Sequence, residues 1–164
     1  MQGEPVFYAL LAALAIALVI AAYTDLRRRE IDNWLTLAIT LGAPVYWYVN
    51  GFNWLDISLQ VAIAAATFGV VFVLFILNQM GGGDVKLLAA LALWIRPVPY
   101  LQLLVVMAFA GALITVVLFA WRLARKHKGP INVPYGIAIS FAGLWVLADQ
   151  YWERFLHSGL VSGT

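Results

Sequence analysis

Cysteine is absent from all 164 residues, so disulfides, thiolate catalysis and cysteine-ligated zinc are excluded together. Charge is scarce as well: Asp, Glu, Lys and Arg make up 11% of the chain. The two histidines, His127 and His157, fall on opposite sides of the topology derived below and cannot share a metal. No metal or other cofactor is expected. There is no basic cluster with interleaved aromatics, which sets nucleic acid aside as a partner. Ser140 lacks a Gly-x-Ser-x-Gly setting and a nearby base, so serine-protease chemistry has no foothold.

What the chain has instead is apolar surface. It is 64% hydrophobic with a mean hydropathy of +0.90, against about 45–50% apolar residues in a soluble domain. That composition predicts an integral membrane protein, and the length predicts a single transmembrane domain spanning 1–164. Apolar runs lie at Val6–Tyr23, Trp34–Val49, Ile57–Leu77, Val85–Ile95, Leu101–Trp121 and Val133–Trp152. Four or five approach the roughly 20 residues that cross a bilayer. The fold expected is therefore all-α, a polytopic bundle of about six transmembrane helices embedded in lipid.

The basic residues set the orientation. No positive segment precedes the first run, and Arg27, Arg28 and Arg29 follow it, as in a retained anchor with its N-terminus outside. Six crossings then return the C-terminus to the outside. On that topology the inner loops hold eight of the ten Lys and Arg residues, leaving Arg96 and Arg154 outside. The aromatics Tyr46, Trp47, Tyr48, Phe52, Trp54, Trp94, Tyr100, Tyr151 and Trp152 cluster toward the outer boundary and read as interfacial anchors.

Against this background Gly81-Gly82-Gly83-Asp84 stands out. Glycine costs a helix roughly 1 kcal/mol relative to alanine, and an aspartate at bilayer depth costs about 2.5–3.5 kcal/mol. The first helix ends at Thr24-Asp25 and the fourth begins at Asp84. Alternating topology thus brings two carboxylates, 59 positions apart, to one end of the bundle. The fourth run is 11 residues, about 16 Å of helix, so Asp84 should lie below the surface. There the glycines would supply irregular backbone and let another segment approach closely.

Two carboxylates in one site hold one proton between them. The ionised member can take a proton from water while the protonated one polarises a peptide carbonyl, which hydrolyses an amide without metal or covalent intermediate. Lys86 is placed to tune such a pair, to hold a substrate acid, or to snorkel to the interface. Glu30 and Asp32, in the first inner loop, are the acids best placed to meet a basic peptide.

These residues resemble the type IV prepilin peptidase family, membrane aspartyl proteases carrying Gly-x-Gly-Asp. The matching stretches are Gly81-Gly82-Gly83-Asp84-Val85-Lys86-Leu87 and Thr24-Asp25-Leu26-Arg27-Arg28-Arg29-Glu30-Ile31-Asp32-Asn33. A third, Val133-Pro134-Tyr135-Gly136-Ile137-Ala138-Ile139, resembles the Pro-Tyr-Gly segment opening the family's last helix. The resemblance implies Asp25 and Asp84 as the catalytic pair, with Gly81, Gly83, Pro134, Tyr135 and Gly136 shaping the site. It implies a prepilin or pseudopilin substrate, with a short basic leader removed after a glycine at the cytoplasmic face of a bacterial inner membrane. The family often has Ile-Pro-Asn where this chain has Ile31-Asp32-Asn33, which makes Asp32 a rival carboxylate. Longer members carry a four-cysteine zinc insert associated with N-methylation. A cysteine-free chain of this length resembles the short, peptidase-only form of Flp-type pilus systems.

Other classes make different demands. A proton-coupled transporter would also bury acids and break helices with glycine, but would usually show an internal repeat, and none relates the two halves. A presenilin-type protease shares Gly-x-Gly-Asp yet carries Pro-Ala-Leu where this chain has Pro134-Tyr135-Gly136. A non-enzymatic assembly subunit would tolerate Asp→Asn at either position.

Overall fold

The computed structural model describes residues 4–125 and 135–161. They form six helices and no strand: α1 (Glu4–Arg28), α2 (Asn33–Val49), α3 (Trp54–Ile76), α4 (Gly82–Ala92), α5 (Pro97–Arg125) and α6 (Tyr135–Val161). Helix α1 packs on α2 and α6, and α4 packs on the same two, so α1, α2, α4 and α6 close a ring. Helix α3 lies against α4 outside that ring and α5 lies against α6. The apolar faces that α3 and α5 leave exposed carry residues such as Val70, Phe109 and Val116, as lipid-facing helices do.

Three helices, α1, α3 and α5, are long and apolar enough to cross a membrane. The other three of the six expected helices are shorter or more polar. Helix α2 has 17 residues, about 25 Å at 1.5 Å per residue, short of a core about 30 Å thick. Helix α4 has 11 residues, and α6 carries Asp149 and Glu153 within its second half.

The short α4 is the centre of the bundle, with seven of its eleven residues buried. Ending a helix at such depth leaves carbonyl groups without water, and each needs a partner. Side chains from neighbouring helices supply them. Trp47 Nε1 donates to Leu93 O at 2.8 Å, and Gln60 Nε2 donates to Ile95 O at 3.1 Å. Tyr100 Oη donates to Leu88 O at 3.1 Å, while Trp94 Nε1 ties the turn to Ile39 O on α2 at 2.7 Å. The anchor reading thus fails for Tyr46, Trp94 and Tyr100, which are buried; their rings seal the end of α4 rather than meeting lipid. Tyr48 and Trp54 are 89% and 85% exposed.

The glycine run also differs from expectation. Helix α4 begins at Gly82, so Gly82 and Gly83 are helical and Asp84 occupies the third position of the first turn. The chain reversal before it is made by Asn78, at φ 55°. Its N–H donates to Phe75 O, and the Gln79 N–H donates to Leu74 O, both at 2.9 Å. This is a Schellman closure of α3 with asparagine as the left-handed residue. The three glycines are therefore not needed for unusual backbone; they provide close approach.

Candidate functional site

Helix α1 buries Phe7, Leu11, Leu14, Leu18 and Ala21, steps of four and three that trace one face of a packed helix. The next member of that series is Asp25, which is 5% exposed. Helix α1 continues to Arg28, so Asp25 sits in its last turn rather than at its end. On α4 the buried face runs Asp84, Leu87, Leu88, Leu91, and Asp84 is 7% exposed. Each carboxylate is thus held on the core face of its helix, and the ring closure turns both faces inward.

The two line one cleft of about 200 Å³, together with Arg29, Glu30, Ile31, Gly81, Gly82 and Gly83. Backbone donors orient each carboxylate. The Ile137 N–H donates to Asp25 Oδ2 at 3.2 Å, with the Gly136 N–H directed at the same carboxylate. Asp84 Oδ2 accepts from the Gly81 N–H at 3.3 Å. This is half of a capping box; glycine at the N-cap has no side chain to complete the other half. An acid in the first turn of α4 is also favoured by the helix dipole.

Close backbone approach makes this arrangement possible. A Cβ on Gly83 would stand 2.9 Å from Ile31 Cβ, and one on Gly81 would stand 3.0 Å from Asp84 Oδ2. A Cβ on Gly136 would stand 2.8 Å from both Cγ and Oδ2 of Asp25. Seven residues along each helix the contact repeats, since a Cβ on Gly143 would lie 2.8 Å from Leu18 Cδ1. The antiparallel α1–α6 register is fixed at both points.

The remaining expected residues divide. Glu30 lines the cleft. Asp32 is the N-cap residue of α2, makes no side-chain capping bond, and is not among the cleft-lining residues. Lys86 points away from the carboxylates and donates to Asn33 Oδ1 at 2.8 Å. Tyr135 packs over Gly111 of α5 rather than into the cleft. Pro134 lies outside the described residues. Of the arginine triplet, Arg27 is engaged on the outer face with Tyr23, while Arg29 faces the cleft from a left-handed backbone position at φ 57°.

Three participants escape the sequence reading: Arg29 as a lining residue, Ile31 as the partner of Gly83, and the Ile137 N–H. The signal for Ile31 was its place in the apolar series that continues through Leu35 and Ile39. The other two depend on tertiary approach and leave no local mark.

The family model described as the type IV leader peptidase family matches residues 12–120. That stretch begins in α1, ends in α5 and contains both carboxylates. No curated protein and no solved structure gives a match.

Proposed function

Since the chain belongs to the type IV leader peptidase family, we propose that Asp25 and Asp84 are its catalytic pair, acting as an aspartyl endopeptidase. The observation that carries this reading is that two buried carboxylates from different helices line one small cleft. One carboxylate, ionised, takes a proton from water as the water oxygen attacks the scissile carbonyl carbon. The other, protonated, donates to the carbonyl oxygen. Collapse of the tetrahedral intermediate breaks the C–N bond: the proton gained from water passes to the leaving amine, and a hydroxyl proton of the intermediate returns to the carboxylate that had donated one. The Gly136 and Ile137 N–H groups hold Asp25 in position, and the Gly81 N–H holds Asp84.

The substrate proposed is a prepilin or pseudopilin of the Flp type, with a short basic leader ahead of an apolar helix. Cleavage follows a glycine at the cytoplasmic face of the bacterial inner membrane, a reading of the cleft's side that the distribution of Lys and Arg supports. Glu30, exposed and lining the cleft, meets the basic leader. With no cysteine in the chain, the zinc site associated with N-methylation has no ligands, so the trimmed product keeps an unmethylated amino terminus.

The test is co-expression with a candidate pilin from the same genome, reading leader loss by gel shift and the new N-terminus by mass. Wild type should cleave, and Asp25→Asn and Asp84→Asn should not, at equal membrane levels. Cleavage surviving either substitution would remove that residue from the pair.

A further inference from the structure

Asp84 and Lys86 are two residues apart on α4 and serve different spaces. Asp84 faces the cleft, whereas Lys86 opens onto a second, larger groove of about 460 Å³ on the other side of α4. Three helices line it with residues at helical spacing. Helix α2 gives Asn33, Leu37 and Thr40, and α4 gives Lys86, Ala89 and Leu93, each series covering two turns along one face. Helix α3 closes the far side with Ala64. The polar groups sit at the end nearest the carboxylates, where Lys86 Nζ donates to Asn33 Oδ1 at 2.8 Å. Away from that end the lining is apolar, mixing Ala64, Ala89 and Ala90 with the larger Leu37, Phe68 and Leu93, apart from threonine hydroxyls such as Thr40 Oγ1, which donates to Thr36 O at 2.8 Å. Small residues let helix backbones approach closely inside a bilayer.

We infer that this groove is the docking site for the apolar helix of the substrate, laid along α4 from Lys86 toward Leu93. The inference rests on the peptidase reading above. A substrate whose scissile bond lies between Asp25 and Asp84 continues directly into its apolar helix, which must stay in lipid within reach of the cleft. The groove begins at the α4 turn that carries Asp84, so a chain leaving the cleft reaches it by rounding the N-terminal turn of α4. Its paired two-turn stripes match a helix, and its polar end coincides with the point where the substrate backbone passes from cleft to helix.

The absence of cysteine permits a clean cross-linking test. Single cysteines at Leu37, at Thr40 and, as a lipid-facing control, at Val116 of α5 are introduced with Asp84→Asn, which holds the substrate uncut. Each is oxidised with copper phenanthroline against a cysteine scan of the substrate helix. Docking predicts cross-links from Leu37→Cys and Thr40→Cys that recur every three to four substrate positions, with the Thr40 set displaced by about one turn away from the cut. Val116→Cys should give none of this pattern. In the active protein, Thr40→Trp should raise KM for full-length substrate about tenfold with kcat nearly unchanged, as loss of uniform binding does. Cross-links without periodicity, or equal from Val116→Cys, would overturn the docking site, as would an unchanged KM in a folded Thr40→Trp protein. Failure of the wild type to cleave any pilin would instead bring down the peptidase reading, so the two are separable.

Discussion

The Asp25 carboxylate rests directly against the Cα of Gly136, where a side chain of even one carbon would stand 2.8 Å from its Cγ and Oδ2. The first described turn of α6 is thereby locked to the last turn of α1, and the N–H of Ile137 reaches Asp25 Oδ2 because no Cβ intervenes. Asp25 cannot move away freely, since it continues the buried face that runs through Leu18 and Ala21.

Gly136→Ala should therefore displace the Asp25 carboxylate or the start of α6. A misplacement near 1 Å in a catalytic group costs about 100-fold in rate, and kcat for leader removal should fall by that order. Gly143→Ala is the matched control. Its new methyl would meet Leu18 Cδ1 at 2.8 Å, the far end of a flexible side chain. The expected cost there is stability, about 1 kcal/mol from overpacking, with kcat close to wild type. Kinetics and thermal unfolding in detergent on both variants separate the two effects.

Asp32 gives a second discrimination. It stands at the start of α2, makes no capping bond through its side chain, and does not line the cleft. Asp32→Asn should keep leader cleavage within about threefold of wild type, less than about 1 kcal/mol in the barrier. Loss of activity comparable to that of Asp84→Asn would bring Asp32 into the pair.

Sequence alone located the membrane class, the helix count and both carboxylates, because each leaves a local mark. Apolar runs mark the helices, and an acid behind glycines is costly enough to notice. Of the two jobs expected of the glycines, close approach is the one they do; the irregular backbone lies elsewhere. Asn78 takes the left-handed position, a choice that only the backbone path reveals. The aromatic anchors were misassigned for a related reason. A tryptophan near the end of an apolar run looks the same whether it meets headgroups or, like Trp94, donates to a carbonyl such as Ile39 O on a neighbouring helix. Burial is decided by tertiary packing. The groove beside Lys86 was invisible because its walls come from three helices whose adjacency no single stretch encodes.

The Lys86–Asn33 contact should be measurable as a coupling. Its N···O distance is 2.8 Å, and both groups are exposed, so water competes for each. A double-mutant cycle with Lys86→Met and Asn33→Ala should return about 0.5–1.5 kcal/mol between the pair. A coupling near zero would mean that the contact does not hold α2 to α4.

Gln60 offers the sharpest stability test, because it is 1% exposed on a helix whose other residues, Val71 apart, are exposed or half-buried. Its Nε2 donates to Ile95 O at 3.1 Å and lies 3.4 Å from Leu93 O. Leu93 O keeps a second donor in Trp47 Nε1, so Ile95 O is the group at risk. Gln60→Leu retains much of the volume but removes the donor. A buried carbonyl left unpaired costs about 1–3 kcal/mol, less what the substitution recovers by removing Oε1, which has no hydrogen-bond partner here. The net expectation is a destabilisation of about 1–2 kcal/mol seen as a lower Tm in detergent. Because α4 carries Asp84 at its other end, the same variant should lose activity only as it unfolds. A fall in kcat at temperatures well below its Tm would mean that the C-terminal cap of α4 also sets the position of Asp84.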